Sequence, residues 1–213
     1  MIDGPAQFKL LEVAIDLFGQ MGLDGVGTRR IAEGAGVQMS AITYYFRSKE
    51  GLYLACAEHI AAMMRVRIAP LMETGVDGRA MVDAKTRVEA IVSGMAVIMM
   101  QPEMAPIARF VVREQMNPTP AFSILYDGAM RQVAETVIAL LHSISRGRLS
   151  DEDITTRCFA LMGQVFAFRF ARATLERVTN WSAVGPREID LVRRTVVIHT
   201  RAIIADLDAG AFK

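Results

Sequence analysis

Residues 28–49 read TRRIAEGAGVQMSAITYYFRSK, and the fold of the chain follows from how that stretch divides. Ile31, Ala32 and Ala35 fall on one helical face, and Gly34 and Gly36 bring the segment to a stop. A second helix begins near Ser40 and runs to Phe46. At about 100° per residue, Ile42 and Phe46 share one side and belong to a core. Ser40 and Tyr44 point the opposite way, Ala41 and Thr43 flank them, and Tyr45 lies at the border. Two short helices joined by a glycine turn, the second displaying small, hydroxylated and aromatic side chains, are the sequence form of a helix-turn-helix. Such a face suits close approach to another surface.

Upstream, Phe8, Leu11, Ile15 and Phe18 recur every three or four residues, with Ala14 and Met21 alongside, as a helix with one buried stripe. Gly22 stops it, and Thr28 is placed to start the next helix with its hydroxyl beside the first free amides. Downstream, Ser48-Lys49-Glu50 opens a longer helix to about Ala69, which Pro70 is expected to end or kink. A loop is expected over Glu73 to Gly78. Five further helical stretches follow: Ala80 to Met100, Pro102 to Met116 with a break at Pro106, Ala121 to Ser145, Ser150 to Val178, and Pro186 to Asp208. Ser150 with Asp153 resembles a capped helix start, and Trp181 falls in the loop before the last helix. Strand alternation of useful length is absent. The expected architecture is all-α, about nine helices, with an amino-terminal three-helix helix-turn-helix domain over residues 1–48 and a helical body over 49–213.

Composition narrows the function. A chain of 213 residues with 52% apolar content buries a sizeable core. The net charge of +1 gives no global signature of nucleic-acid binding, so any basic surface is local. Between Gly25 and Lys49 the cations Arg29, Arg30, Arg47 and Lys49 outnumber the single carboxylate of Glu33. Cys56 and Cys158 lie far apart in apolar helical patterns and read as buried free thiols. Neither a Cys/His cluster, a nucleophile elbow, a phosphate loop nor a paired-carboxylate motif appears, so neither metal, cofactor nor catalysis is expected. The first residues lack a signal-peptide layout, and the longest apolar run falls short of the roughly 18–20 residues of a membrane span. A cytoplasmic protein without a membrane partner is expected.

Gly22, Thr28-Arg29-Arg30-Ile31-Ala32, Ala35-Gly36-Val37, Ile42, Tyr44-Tyr45-Phe46 and Lys49-Glu50 with Leu52 resemble the amino-terminal signature of the TetR family of transcriptional regulators over residues 8 to 60. Arg113-Glu114-Gln115 with Pro118-Thr119, and Leu161-Met162-Gly163-Gln164 through Ala167-Phe168-Arg169 to Asn180-Trp181, resemble the carboxy-terminal domain of its CecR-like branch. The resemblance implies a homodimer, paired through its last two helices, on a palindromic double-stranded DNA operator. It implies that Thr28, Tyr44, Tyr45 and Lys49 touch phosphates while Arg29, Met39, Ser40, Ala41 and Thr43 reach base edges, a division that also suits their chemistry. Gly27 departs from the pattern, since many relatives carry Ser or Thr there.

The body carries wide apolar faces: Ile154, Cys158, Leu161, Val165 and Phe168 on one helix, and Ile189, Val192, Val196, His199 and Ile203 on another. A helix apolar on more than one side needs more than one partner. A small apolar or amphipathic effector is expected in this body, with Met64, Met99, Met100, Phe110, Arg113, Gln115, Phe168 and Arg169 as its contacts. Methionines at this density equally fill an irregular core, and Arg113 to Gln115 equally read as an internal polar latch. Expected overall is a ligand-responsive repressor. The rivals are a helical enzyme using the apolar body and a scaffold that binds only proteins.

Overall fold

The computed structural model describes residues 4–73 and 83–209, and every described element is helical. In order these are α1 (Pro5–Met21), α2 (Thr28–Ala35), α3 (Ser40–Phe46), α4 (Lys49–Glu73), α5 (Ala84–Met100), α6 (Met104–Met116), α7 (Pro120–Leu125), a π turn (Tyr126–Met130), α8 (Arg131–Ser145), α9 (Asp151–Phe170), α10 (Arg172–Thr179) and α11 (Pro186–Ala209). Because α7, the π turn and α8 follow without a break, the described residues hold ten helical rods, one more than expected. The extra one arises at Ala171, whose φ of −93° and ψ of 22° separate α9 from α10. Nothing in its side chain announces that break. The loop expected over Glu73 to Gly78 and the start expected at Ala80 lie outside the described residues, Glu73 excepted, which still belongs to α4.

Prolines behave by position. Pro106 is the third residue of α6, where a backbone N–H has no helical acceptor, so it opens the helix rather than breaking it. Pro70 lies inside α4, which continues to Glu73. Its missing N–H leaves the carbonyl of Val66 without a helical donor, at a place where both residues are exposed to solvent. Helix starts follow the capping chemistry the sequence announces. Ser150 Oγ accepts from Asp153 N–H at 3.1 Å, and Glu188 Oε2 accepts from Gly185 N–H at 3.0 Å.

The chain divides into two compact units: Met1–Arg65 with Glu103–Arg131, and Val66–Pro102 with Gln132–Lys213. In the first, α1 is the central rod, packed against α2 and α3 and also against α6. Because it is covered on two sides, its buried set is Leu10, Leu11, Ala14, Ile15, Phe18 and Gly19, wider than the single stripe expected. Phe8, expected inside, is 42% exposed and sets its ring edge-on to His59 at 5.8 Å. Gly19 is the crossing point with α6: a Cβ there would lie 3.1 Å from the Pro106 carbonyl and Phe110 N–H nitrogen. Asp16 and Arg109 pair beside it at 2.5 Å, half-exposed, adding under about 1 kcal/mol.

The same unit holds a buried polar cluster. Glu114 is 1% exposed and accepts from Tyr53 Oη at 2.6 Å, Thr119 N–H at 3.0 Å and Thr119 Oγ1 at 2.9 Å. The Tyr53 ring packs against Phe18 and Phe110, with centroids 5.0 and 4.7 Å away. Burial, then the bond to Glu114, pushes the Tyr53 hydroxyl well above its ordinary pKa, so it stays a donor.

In the second unit α5 packs against α9 and α11. The buried face of α9 is Ile154, Cys158, Leu161, Met162, Val165 and Arg169, and that of α11 is Val192, Val196, Thr200, Ile204 and Leu207. Phe168 is half-buried and His199 exposed, although both fall on the apolar stripes of the sequence. Thr200 is tolerated at a fully buried position because its hydroxyl donates to Val196 O at 2.8 Å and accepts from Gln164 Nε2 at 3.3 Å. Arg148 Nη2 donates to the Leu207 and Asp208 carbonyls at 3.0 and 2.7 Å, closing the end of α11. Cys56 and Cys158 are buried free thiols, as expected, and burial pushes the Cys158 thiol up to about 11. Among the described residues no single helix is long and apolar enough to cross a membrane, and no group of three or more His, Cys, Asp or Glu could hold a metal ion.

Candidate nucleic-acid interface

The first unit presents α3 on a scaffold of α1 and α2. Thr28 is the first residue of α2; Gly27 is its N-cap, in extended backbone, with the Arg30 N–H donating to Gly27 O at 3.1 Å. A Cβ at Gly27 would meet nothing within 4 Å, so the family's usual Ser or Thr would fit. Gly36 ends α2 at φ 67°, a left-handed position that costs glycine nothing, and the Val37 N–H closes the turn on Ala32 O at 3.0 Å.

Ile42 and Phe46 are buried, and the rest of α3 faces outward as its seven residues predict. Tyr44 is 79% exposed and Met39 56%; Ser40 and Thr43 are exposed, and Ala41 and Tyr45 half-buried at the margins. The Tyr44 and Tyr45 rings meet edge-on at 4.9 Å, which stiffens both. Thr28 and Lys49 are half-buried and Arg29 is exposed. The nine residues expected to touch DNA therefore all reach the surface of one compact unit.

At the end of α3 the chain turns sharply. Ser48 N–H donates to Phe46 O at 2.8 Å across Arg47, whose φ is 68° and ψ −42°. This is a γ-turn with a non-glycine residue at positive φ, a conformation costing about 1–3 kcal/mol. Ser48 Oγ then accepts from Gly51 N–H at 3.0 Å to start α4. A bond from its own backbone N–H, then one from the Ser48 hydroxyl, holds the Glu50 carboxyl below its ordinary pKa. Gly51 is required by close approach: a Cβ there would fall 2.0 Å from the Phe46 carbonyl oxygen. Gly51→Ala is expected to displace the turn and cost about 2 kcal/mol, lowering the thermal midpoint by about 5 °C; scanning calorimetry of the variant checks it.

The local charge is distributed unevenly. Arg29 pairs with Glu33 at 2.9 Å along α2, and Arg30 donates to Met21 Sδ at 3.4 Å. Arg47 and Lys49 form no ion pair among the described residues.

The eight residues expected around an effector are distributed over both compact units. Met64, Phe110, Arg113 and Gln115 belong to the first compact unit and Met99, Met100, Phe168 and Arg169 to the second. Phe110 is fully buried against Tyr53, Arg113 Nη2 donates to Gln20 O at 3.2 Å, and exposed Gln115 lies 3.7 Å from Met130 Sδ. Met99 and Met100 line the buried face of α5, and Arg169 is 6% exposed on α9. Two described surface grooves, of about 420 Å³ beside Val97, Pro102 and Ile189 and about 520 Å³ beside Val13, Leu17 and Arg30, include none of the eight. Glu114, read in the sequence within the Arg113–Gln115 latch but left out of the expected effector contacts, carries the polar cluster. Its i, i+4 and i, i+7 relation to Phe110 and Ile107, both buried, was the available signal.

Comparison with known proteins bears on the whole chain. Residues 10–56 match the family described as "Bacterial regulatory proteins, tetR family", and residues 84–207 match "HTH-type transcriptional dual regulator CecR, C-terminal domain". The HTH-type transcriptional dual regulator CecR of Shigella flexneri is 30% identical over 207 residues, covering 95% of this chain and 92% of that protein. SCO4454, a TetR-family transcriptional regulator from Streptomyces coelicolor, superposes with a TM-score of 0.67 at 19% identity, covering 96% of each chain. AibR, solved in complex with isovaleryl coenzyme A and operator DNA, superposes with a TM-score of 0.68 at 12% identity over 91% of this chain and 96% of that one. An exposed reading helix, the matched head and the matched body agree: the chain belongs to the TetR family, with a CecR carboxy-terminal domain, and is a DNA-binding transcriptional regulator rather than an enzyme.

Proposed function

We propose that the protein is a homodimeric cytoplasmic repressor that holds a palindromic operator through its two α3 helices and is released by a small effector. The observation that carries the reading half of this is the exposed face of α3, polar and aromatic, on a helix whose opposite side is core. Ser40, Ala41, Thr43, Met39 and Arg29 take the base edges; Thr28, Tyr44, Tyr45 and Lys49 hold phosphates.

The pairing half is supported by exposed apolar residues in the second unit. On α9, Phe159 is 69% and Phe170 53% exposed; on α11, Leu191 is 43% and Ile198 63%. They recur at helical spacing opposite the buried faces, and a partner copy covers them as a four-helix bundle. The effector is an amphipathic molecule with an apolar tail and a polar head, the class to which the isovaleryl coenzyme A of AibR belongs. Met99, Met100, Phe168 and Arg169 of the second unit suit such a ligand. Its differential affinity for two arrangements of the heads shifts the population away from the operator-bound one.

Alanine at Tyr44 and Lys49 together is expected to weaken operator binding at least tenfold, lower its salt dependence and leave the dimer intact. Titration of full-length protein with a selected operator at several salt concentrations measures this. Salt-independent binding of the wild-type chain with no preference for a palindrome would remove the proposal.

A further inference from the structure

We infer that Arg47, at the turn between α3 and α4, is a phosphate-binding residue of the operator complex. Three observations converge on it. Its backbone sits at φ 68° and ψ −42°, held there by the Ser48 N–H bond to Phe46 O and by the seating of Gly51 against that same carbonyl. Glycine would occupy this position without strain, whereas arginine holds it at a cost, and strain of this kind gathers at functional sites. The guanidinium is exposed and makes no ion pair among the described residues. The nearest carboxylate in sequence, Glu50, is engaged by Ser48 and its own backbone N–H.

Position then selects the target. The base-reading residues occupy the first half of α3, and Arg47 follows its last residue. Seven residues beyond Ser40, at about 1.5 Å of rise each, Arg47 lies roughly 10 Å further along the axis. That is close to the major-groove width of about 12 Å, so a helix that reads bases with its amino-terminal half carries this turn to the groove rim, where phosphates line the strand. Arg47 and Lys49 flank Ser48, two cations astride one sharp turn. Of the four cations in the helix-turn-helix stretch they alone carry no ionic or sulfur partner among the described residues. The thin positive charge of the head is thus concentrated at one rim. The planar, multiply donating guanidinium suits a phosphate better than a base edge at this distance from the reading half.

A structural rival exists, because a cation at the end of a helix also favours its carbonyl end. Three variants of the full-length protein separate the two. Arg47→Gly relieves the strain and removes the charge; Arg47→Ala removes the charge alone; Arg47→Lys keeps it. Operator affinity is titrated against salt, beside thermal midpoints. The expected result is a loss of about tenfold at low salt for Gly and Ala, equal on operator and unrelated DNA. The log–log salt slope is expected to fall by about 0.9 per head, with Lys retaining the slope. The Gly variant melts higher than wild type. The inference is overturned if the Gly variant binds with unchanged slope and affinity, if it melts lower with binding unchanged, or if Ala alters the preferred sequence without altering the slope. It rests on DNA binding by the head, which the wild-type titration reports separately.

Discussion

Glu114→Ala lowers the thermal midpoint by about 10 °C. The carboxylate accepts three hydrogen bonds at a position 1% exposed, and its removal strands the Tyr53 hydroxyl in the core and the part-buried Thr119 N–H beside it. Losing the acceptor of buried donors costs about 3–5 kcal/mol in total, and a chain of this size loses about 2–4 °C per kcal/mol. Glu114→Gln keeps the shape and one acceptor oxygen but aims an amide donor at the Thr119 N–H, so it falls between alanine and wild type. Tyr53→Phe removes one of the three bonds and leaves the carboxylate its two from Thr119, for a loss of about 1–2 kcal/mol. Because the residues share one cluster, the double variant Tyr53→Phe with Glu114→Ala is less destabilised than the sum of the singles. Differential scanning calorimetry measures all of these. A Glu114→Ala midpoint within 2 °C of wild type would mean that water replaces the carboxylate and that the cluster holds nothing together.

That cluster also shows where sequence reasoning succeeds and where it stops. Helices α2 and α3 were legible because they are short and each buries a narrow set: with Ile42 and Phe46 inside, the outward residues of α3 follow by geometry alone. The cap at Ser150 was legible because it depends on residues three positions apart. Packing on two sides was not. Leu10 is buried and Phe8 is not because α1 is flanked by α6 as well as by α2 and α3, and no periodicity within α1 reveals a second neighbour. On α11 apolar residues occur on several faces, so His199 and Thr200 were equally eligible; the partner that settles it, Gln164, lies on another helix. The effector contacts stay open at the level of sequence, since a methionine in a core and one in a pocket look alike there. Arg113, Glu114 and Gln115 read as three equivalent polar groups, yet of the three only Glu114 is fully buried.

The sharpest loss of function is expected from Phe159→Glu combined with Ile198→Glu. In the single chain these side chains are 69% and 63% exposed, so charging them disturbs no internal packing, and surface substitutions of this kind change stability by about 0.5 kcal/mol or less. Any large effect must therefore come from a surface that covers them. If that surface is a second copy, each substitution is met twice across the two-fold axis, and buried like charges without partners oppose pairing strongly. The variant is expected to sediment as a monomer with a nearly unchanged helical signal. Operator affinity then falls by about 10²–10⁴, because the second head no longer binds as a tethered ligand. Affinity for an isolated half-site stays as in the wild-type head, since every α3 contact remains. Analytical ultracentrifugation and operator titration decide it together. A variant that stays dimeric places the pairing surface elsewhere, and a monomer that binds the operator as tightly as wild type would show that one head suffices. The modest charge of the head argues against that second outcome: with Arg29 engaged by Glu33 and Arg30 by Met21, a single head brings few free cations to the phosphates, and in the proposed dimer a second, tethered head would supply by proximity what the local charge lacks.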